Sequence, residues 1–531
     1  MRRALFAHPI SKALLFSLIP LSYYLLDALN YAQAGKSGLL GFFVLTPLFY
    51  WQALYPQHKG LRTGLMGSTF IILAFMIFQA SLREIFGVEQ DSVVVIEALF
   101  NTNVSESQEF FLQYRYALIK HVSLLVVLTT IYLFIVLKLL KTEGSPFTPH
   151  FKKSFHFGCW AFTFLAVLVH FNPTLRKANP IFFFPSYYLQ WANEVALTKT
   201  LTNQIEKFAS TGLSTLKLTG EHKHRTVVWV IGESDTRHNW GLYGYPRDTT
   251  PELSNQKQNL IRFDHVRAAD GGTVGSITKM LTPASQAAPD LWKTQPDVLA
   301  MAKHVGYKTF WLSNQATDTR GVLSIFAQHA DQTVYTNEGT ARGEGTLDEA
   351  LFAPLEQALA DPAPLKFIVV HIMGEHPAYN FRYPESFAKF DGVFDDEVAK
   401  GLEAAGRSFY ATTFRNQYDN AVTYKDYVLA GLLTRTQAYE GHDAAWVYIA
   451  DHGQDVSHHS DFSGHNRKVA EMWDVPMLAW FSNGFFTHAV RPKVDTPFQA
   501  DHINHSILGL LHIQGDYYNP ALDIFQPDPQ R

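Results

Sequence analysis

The chain has 531 residues, with 44 lysines and arginines against 48 acidic residues, for a net charge of −4. That balance argues against nucleic acid as the main partner, and the length allows two or more domains. The single cysteine, Cys159, excludes both an internal disulfide and a thiolate metal cluster.

Apolar stretches dominate the first third of the chain. Segments of roughly membrane-spanning length, about 20 residues each, run over 13–32, 39–55, 65–86, 122–140 and 155–171. Arg2 and Arg3, Lys59 and Arg62, and Lys138, Lys141, Lys152 and Lys153 all flank the same side of these spans. The loop between the third and fourth spans instead carries Glu84, Glu89, Asp91, Glu97, Glu106 and Glu109. Cationic flanks resist translocation, so five spans starting inside leave the remainder of the chain outside. No small-residue cleavage site follows the first span, which is read as a retained anchor. The sequence therefore predicts a membrane domain over 1–172, an interfacial connector over 173–220 and an exported domain over 221–531. In a bacterium this is a multi-pass inner-membrane protein with its C-terminal domain in the periplasm. Asp27, near the outer end of the first span, is read as solvated.

From residue 221 short apolar runs suited to parallel strands alternate with segments of helical period. The runs are VVWVIGES, YKTFWLSNQ, LKFIVVHIMGEHP, AAWVYIADHG and VPMLAWFSN; the helical segments include PDVLAMAKHVG, DEALFAPLEQAL and YDNAVTYKDYVLAGLL. The alternation predicts an α/β domain, a mostly parallel sheet with helices on both faces. In the loop GLYGYPRDTTP, Arg247 and Asp248 are expected to pair with each other, while Asp235 and His238 are read as structural.

Open sheets of this kind bind ligands beyond the carboxyl ends of their strands. Three runs end there in polar groups: Glu233 after VVWVIG, His371 and His376 around HIMGEHP, and Asp451 and His452 after AAWVYIA. Carboxylate and imidazole are the ligands zinc takes where no thiolate is present. Glu233, Asp451 and His452 supply three of them. His371 is expected to orient a neighbour or pack under the sheet. In ADGGTVGSITKMLTPAS a helix begins near Val274, and a hydroxyl at its start, Thr273, meets the positive end of the helix dipole. Metal coordination there makes a nucleophile of it near neutral pH. Thr273 also fits a helix N-cap, a role compatible with the first.

The combination of GES, a threonine before a helix, HIMGEHP, YDNAVTYKDYVLAGLL, DHG and a terminal ALDIF resembles the membrane-anchored phosphoethanolamine transferases of the alkaline phosphatase and sulfatase superfamily. The resemblance implies a zinc enzyme, with one or two ions, that works by ping-pong. A metal-bound threonine attacks phosphatidylethanolamine, diacylglycerol leaves, and phosphoethanolamine passes from threonine to lipid A, the lipopolysaccharide core or a periplasmic glycan. It implies Glu233, Asp451, His452 and Thr273 as the zinc site, with Thr273 the nucleophile and Ser276 or Thr278 as fallbacks. His376 and His465 would meet phosphate or a second zinc, with His458 or His459 as substitutes for His465. Asn314 and Arg320 would bind substrate, and Asn103 and Glu106 would hold the ethanolamine ammonium. Two departures stand out: the exported domain has no cysteine, and DHGQD replaces the family's DHGES. Both point to a member with a different acceptor. A phosphoglycerol transferase or phosphodiesterase of the same superfamily, and a catalytically inactive membrane scaffold, are the competing readings. A sulfatase is disfavoured because the threonine site lacks a Cys or Ser in the formylglycine setting.

Overall fold

The computed structural model describes residues 57–86, 114–140, 149–172, 213–220, 224–315, 322–337, 346–439, 443–485 and 494–525, with scattered positions between 43 and 55 and at 111. It divides into two compact units, one holding three N-terminal helices and the other a large sheet.

The helices of the first unit are α1 (Lys59–Phe86), α2 (Arg115–Leu140) and α3 (Pro149–Val169). They contain the third and fourth apolar segments and all but the last two residues of the fifth. The first segment, most of the second and the connector up to 212 lie outside the described residues. No helix, taken on its described residues, is long and apolar enough to cross a membrane. Even so, Val122, Val126 and Phe134 on α2 and Phe157, Trp160 and Phe164 on α3 are each more than half exposed.

In the second unit seven strands form one sheet: β1 (Arg225–Gly232), β2 (Ile261–Phe263), β3 (Lys308–Ser313), β4 (Gln332–Tyr335), β5 (Leu365–His371), β6 (Asp443–Ala450) and β7 (Met477–Phe481), in the order β2-β7-β6-β1-β5-β3-β4. The four pairings from β6 through β1, β5 and β3 to β4 are parallel. The run VPMLAWFSN does not follow the expectation of parallel strands: β7 runs antiparallel to both β6 and β2. The sheet is therefore mixed. The edge strands β2 and β4 have three and four residues, too short to mark themselves by alternation.

β1 is buried at every position, as its β-branched, apolar composition requires of a central strand covered on both faces. Val227, Trp229 and Ile231 point to one side, against α4 (Thr273–Leu281), α5 (Val298–His304) and α9 (Ile503–Leu510). Val228 and Val230 point to the other, against α7 (Phe352–Ala360) and α8 (Phe409–Gln437). A short helix, α6 (Val322–His329), adds Phe326 to the first side. α8 is longer at both ends than its sequence pattern suggests, starting from Ser408, whose hydroxyl accepts from Ala411 N at 3.3 Å. It buries Asp419, Lys425 and Asp426 beside its apolar residues, which blurs its helical period.

Register sets up the site. Gly232 pairs with Ala450 of β6, and Ile231 pairs with both Ile449 of β6 and His371 of β5. The next residues along β1 and β6, Glu233 and Asp451, therefore leave the sheet side by side.

Candidate metal centre

Gly232 ends β1 because a Cβ there would collide with the Tyr448 ring crossing from β6. The chain then turns through Ser234, which holds a left-handed φ of 57°. A non-glycine residue in that region costs roughly 1–2 kcal/mol, and hydrogen bonds to both its main chain and its side chain hold this one. Ser234 N donates to Asp451 Oδ1 at 3.1 Å, Ser234 Oγ donates to Glu233 Oε1 at 2.6 Å, and Tyr418 OH donates to the Ser234 carbonyl at 2.9 Å. The turn thus fixes both carboxylates at once. Gly374, at φ 50°, lets the loop after β5 approach the Glu233 main chain, where a Cβ would lie 2.8 Å from the carbonyl oxygen.

Glu233, Asp451 and His452 are wholly buried, and one ligand atom from each lies within 4.8 Å of the other two. His452 Nδ1 is 2.9 Å from the Gly453 carbonyl. A carbonyl cannot donate, so Nδ1 carries the proton and Nε2 turns a lone pair to the cluster. Thr273 Oγ1 lies 3.1 and 3.2 Å from the two Glu233 oxygens and 3.3 Å from His452 Nε2. His452 Nε2 is 3.4 Å from Glu233 Oε1 and 3.5 Å from Asp451 Oδ2.

These separations match a tetrahedral cation site: donors about 2.1 Å from a zinc ion stand about 3.4 Å apart. Without a cation the cluster is badly compensated. Asp451 Oδ2 has no hydrogen-bond donor, and neither His376 Nδ1 nor His465 Nε2 has a partner, although all three atoms are buried. Burial, and then the charge of Glu233, push the Asp451 carboxyl well above the usual range. Burial would raise Glu233 too, but His452, His376 and the Ser234 hydroxyl outweigh it and hold that carboxyl low. Burial lowers the His452 pKa, and burial, with neighbouring His452 second, pushes His465 down to about 3. Two adjacent carboxyl groups beside imidazole nitrogens form a donor set that fits zinc.

Thr273 is the first residue of α4, and Gly272, not Thr273, is the N-cap. The cap reading is thereby corrected. The hydroxyl has no helix-capping duty, and the side chain is only half-buried. Neither fallback has that freedom. Ser276 is buried and donates to the Asp451 carbonyl, and Thr278 donates back to the Val274 carbonyl within its own helix.

Among the three histidines after DHG, His465 is the one at the centre, its ring 4.7 Å from that of His452. His458 accepts from Val456 N at Nδ1 and meets Asn239 Oδ1 at 3.0 Å through Nε2, while His459 sits 3.0 Å from Glu471. Burial pushes His458 down to about 4. The unfolded chain, with an ordinary value near 6.5, therefore binds the extra proton first. Stability from this group is complete above pH 6.5 and is lost as pH falls toward about 4. His458→Gln is expected to flatten that part of a stability-against-pH curve measured by urea unfolding.

His371 packs edge-on against Trp311 at 5.8 Å and is held neutral by burial, at about 4, in line with its expected packing role. Asn314 spends its hydrogen bonds within the fold. It is fully buried, Nδ2 donates to the Thr346 carbonyl and to Asp348, and Oδ1 accepts from the Thr336 and Thr346 hydroxyls. With all four hydrogen-bonding valences used, its expected contact with substrate is corrected to a supporting one: Asp348 receives Met373 N and Gly374 N at 2.8 and 2.9 Å. Arg320, Asn103 and Glu106 lie outside the described residues.

The departures in DHGQD turn inward. Gln454 donates to Ser234 Oγ at 3.1 Å and accepts from Tyr379 OH, while Asp455 accepts from Asn466 at 2.8 Å beside His465. They brace the centre.

Sequence reasoning missed a buried charge cluster directly behind the site. Lys425 of α8 lies 2.7 Å from Asp235 and 2.5 Å from Glu375, and Tyr448 OH and Trp240 Nε1 complete the bonding of Asp235. Asp235 is structural, as expected, but in a cluster that ties the Glu233 loop to the His376 loop. Lys425→Met strands two buried carboxylates and is expected to cost about 3–5 kcal/mol in urea unfolding, with Asp235→Asn recovering part of the loss. Arg247 pairs with Asp396 at 2.7 Å and Asp419 at 2.6 Å, not with Asp248, which lies near Lys389; the expected internal pair is corrected. His238 pairs with Asp474 at 3.0 Å.

Comparison with known proteins agrees with this geometry. The sulfatase family model matches residues 225–513. The phosphoethanolamine transferase EptC of Escherichia coli K12 is 30% identical over 516 residues, covering 91% of this chain and 85% of its own. The crystal structure of the C-terminal periplasmic domain of Escherichia coli EptC in complex with Zn superposes with a TM-score of 0.56 at 34% identity, covering 60% of this chain and 91% of that one. The integral membrane protein lipooligosaccharide phosphoethanolamine transferase A from Neisseria meningitidis gives a TM-score of 0.66 over 98% of both chains, at 18% identity, a likeness of fold. With a family model over more than half its length and a 30% identical relative along nine-tenths of it, the chain belongs to the sulfatase family and, within it, to the phosphoethanolamine transferases.

Proposed function

We propose that this chain is a zinc-dependent enzyme of a bacterial inner membrane that moves phosphoethanolamine from phosphatidylethanolamine to a lipopolysaccharide or glycan acceptor. The observation that carries the reading is the Thr273 hydroxyl, in a partly buried side chain and 3.1–3.3 Å from the donor atoms of Glu233 and His452. Glu233, Asp451, His452 and Thr273 would hold zinc, with His376 and His465 beside them for phosphate or a second ion. When bound, zinc lowers the pKa of a hydroxyl ligand and offsets negative charge on phosphoryl oxygens.

The protein groups act around that chemistry. Glu233 accepts the Thr273 hydrogen and aims the oxygen. The opening N–H groups of α4, which lack helical acceptors, receive a phosphoryl oxygen at the positive end of the helix. Thr273 Oγ1 forms a bond to phosphorus as the bond from phosphorus to the diacylglycerol oxygen breaks, and the proton lost by threonine leaves with diacylglycerol. An acceptor hydroxyl then attacks phosphorus, the Thr273 Oγ1–P bond breaks, and threonine regains a proton.

Residues 1–172 are read as a five-span membrane domain, 173–220 as its interfacial connector and 221–531 as the periplasmic catalytic domain. The exposed valines and aromatics of α2 and α3 support the membrane reading, since each large apolar side chain left in water forgoes about 2 kcal/mol. The sulfatase-family match, which begins at Arg225, supports the catalytic boundary. Mass analysis of lipid and glycan fractions from cells with and without the wild-type protein tests the reaction. A product gaining phosphoethanolamine only with the protein is expected; identical fractions would overturn it.

A further inference from the structure

The turn that delivers Thr273, Asp270-Gly271-Gly272, carries an ion cluster of its own. Asp270 tucks its carboxylate under the first turn of α4, where a Cβ on Gly275 would stand 2.9 Å from it. There it accepts from Gly271 N at 2.6 Å and pairs with Lys279 of α4 at 2.5 Å and with Arg467 at 2.8 Å. Burial would raise this carboxyl, but Lys279 and then Arg467 outweigh it and hold it low. One negative charge thus faces two positive ones.

The two cations differ in their surroundings. The Lys279 side chain is 7% exposed, that of Arg467 47%. Arg467 uses one N–H of Nη2 on Asp270, and its Nε and Nη1 meet no acceptor among the described residues. Its main chain is anchored, because Trp473 Nε1 donates to the Arg467 carbonyl at 3.0 Å. The guanidinium lies across Gly271, where a Cβ would come within 2.9 Å of Nε. The φ of Gly271 is outside the left-handed region, so close approach of the arginine, and not turn geometry, is what needs glycine here. Gly271 is two residues before Thr273. On its other side the Arg467 charge acts on His465, whose ring is 4.7 Å from that of His452. The guanidinium therefore sits at the rim of the centre, between the glycine turn and His465.

We propose that Arg467 is a further catalytic residue, one that binds a non-bridging oxygen of the donor phosphodiester while Thr273 attacks phosphorus. The proposal rests on the transfer reading above. A phosphodiester has two non-bridging oxygens that share one negative charge, and that charge stays on them as a fifth oxygen closes on phosphorus. The opening N–H groups of α4 meet one of these oxygens, and Arg467 is placed to meet the other. A planar guanidinium with N–H groups to spare suits such an oxygen better than a point charge does. Donors already fixed in position need no reorganisation during the reaction, and Asp270 and the glycine turn fix this one. In the step itself the Thr273 Oγ1–P bond forms as the bond from phosphorus to the diacylglycerol oxygen breaks. The threonine proton leaves with diacylglycerol, and Arg467 keeps its own protons throughout.

The test uses the full chain in detergent with zinc, as wild type, Arg467→Lys and Arg467→Ala, and phosphatidylethanolamine in mixed micelles with acceptor withheld. Single-turnover release of diacylglycerol is followed, with zinc content and Tm measured on the same samples. Arg467→Ala is expected to slow release about 100-fold with zinc content and Tm as in wild type. Arg467→Lys should recover part of the rate, and millimolar guanidinium should speed Arg467→Ala but not wild type. Arg467→Gln, which keeps a stem over Gly271, stands in if Arg467→Ala folds poorly. Inhibition by two soluble probes locates the contact: glycerophosphoethanolamine should bind about tenfold more weakly to Arg467→Ala, whereas ethanolamine should bind both proteins alike. Equal release by wild type and variants would overturn the proposal. So would a loss that tracks zinc content in both neutral variants, or a slow Arg467→Ala that neither lysine nor guanidinium improves. Failure of the transfer reading looks different, since wild type itself would then release no diacylglycerol, and the proposal would fall with it.

Discussion

Thr273→Ala is expected to lower phosphoethanolamine transfer by about four orders of magnitude or more, with the fold intact. The expectation follows from what Thr273 does not do. It is not the cap of α4, a task of the Gly272 position, and its half-buried methyl fills no core space. Its hydroxyl is surrounded by acceptors, the two Glu233 oxygens and His452 Nε2, of which one hydrogen can satisfy only one. Such crowding makes sense where a cation sits among the donors and the oxygen is drawn toward deprotonation. Thr273→Ser keeps the oxygen and should retain measurable transfer, whereas Ser276→Ala, which loses the bond to the Asp451 carbonyl, should act through metal affinity. Steady-state assays with zinc content measured on the same samples separate these cases.

Removing the metal is the second large effect. Chelation is expected to abolish transfer and to lower Tm by several degrees, as loss of a tightly bound ligand does. The cause is local: Glu233 and Asp451 are left buried together, and the Asp451 carboxyl is raised well above its ordinary value by burial and by Glu233. A carboxyl raised in the folded state keeps its proton while the unfolded chain releases its own. The metal-free protein should therefore lose stability as pH rises above the ordinary carboxylate range. Asp451→Asn removes one of the two like charges. The variant should be at least as stable as wild type without metal, yet less stable than wild type with zinc present. Thermal melts with and without zinc at two pH values check both orderings; a wild type more stable than the variant in both conditions would contradict them.

The centre was legible in the sequence because its parts sit at strand ends. Gly232-Glu233 and Asp451-His452 each follow an unbroken apolar run, and parallel register brings such tips together whatever the loops do. What the sequence could not show is which groups stand behind them. Lys425 lies in a helix whose sequence does not say where its charges point, and it turns inward to Asp235, Glu375 and Trp240. Arg247 and Asp248 are neighbours in sequence, but the loop aims the guanidinium at two acids about 150 and 170 residues away. Choosing His465 over His458 and His459 likewise needed three dimensions, since spacing alone leaves all three within reach. β7 failed for a related reason: strand composition carries burial but not direction.

Threonine as the covalent carrier of phosphoethanolamine is the central claim, and peptide-level mass analysis of the protein tests it most directly. The full chain is incubated with zinc and phosphatidylethanolamine, acceptor withheld, then quenched in acid and digested. The result expected is a phosphoethanolamine adduct on Thr273, absent from Thr273→Ala and discharged when acceptor is added. Transfer that proceeds with Thr273 unmodified, or an adduct on Ser276 or Thr278 instead, would contradict it.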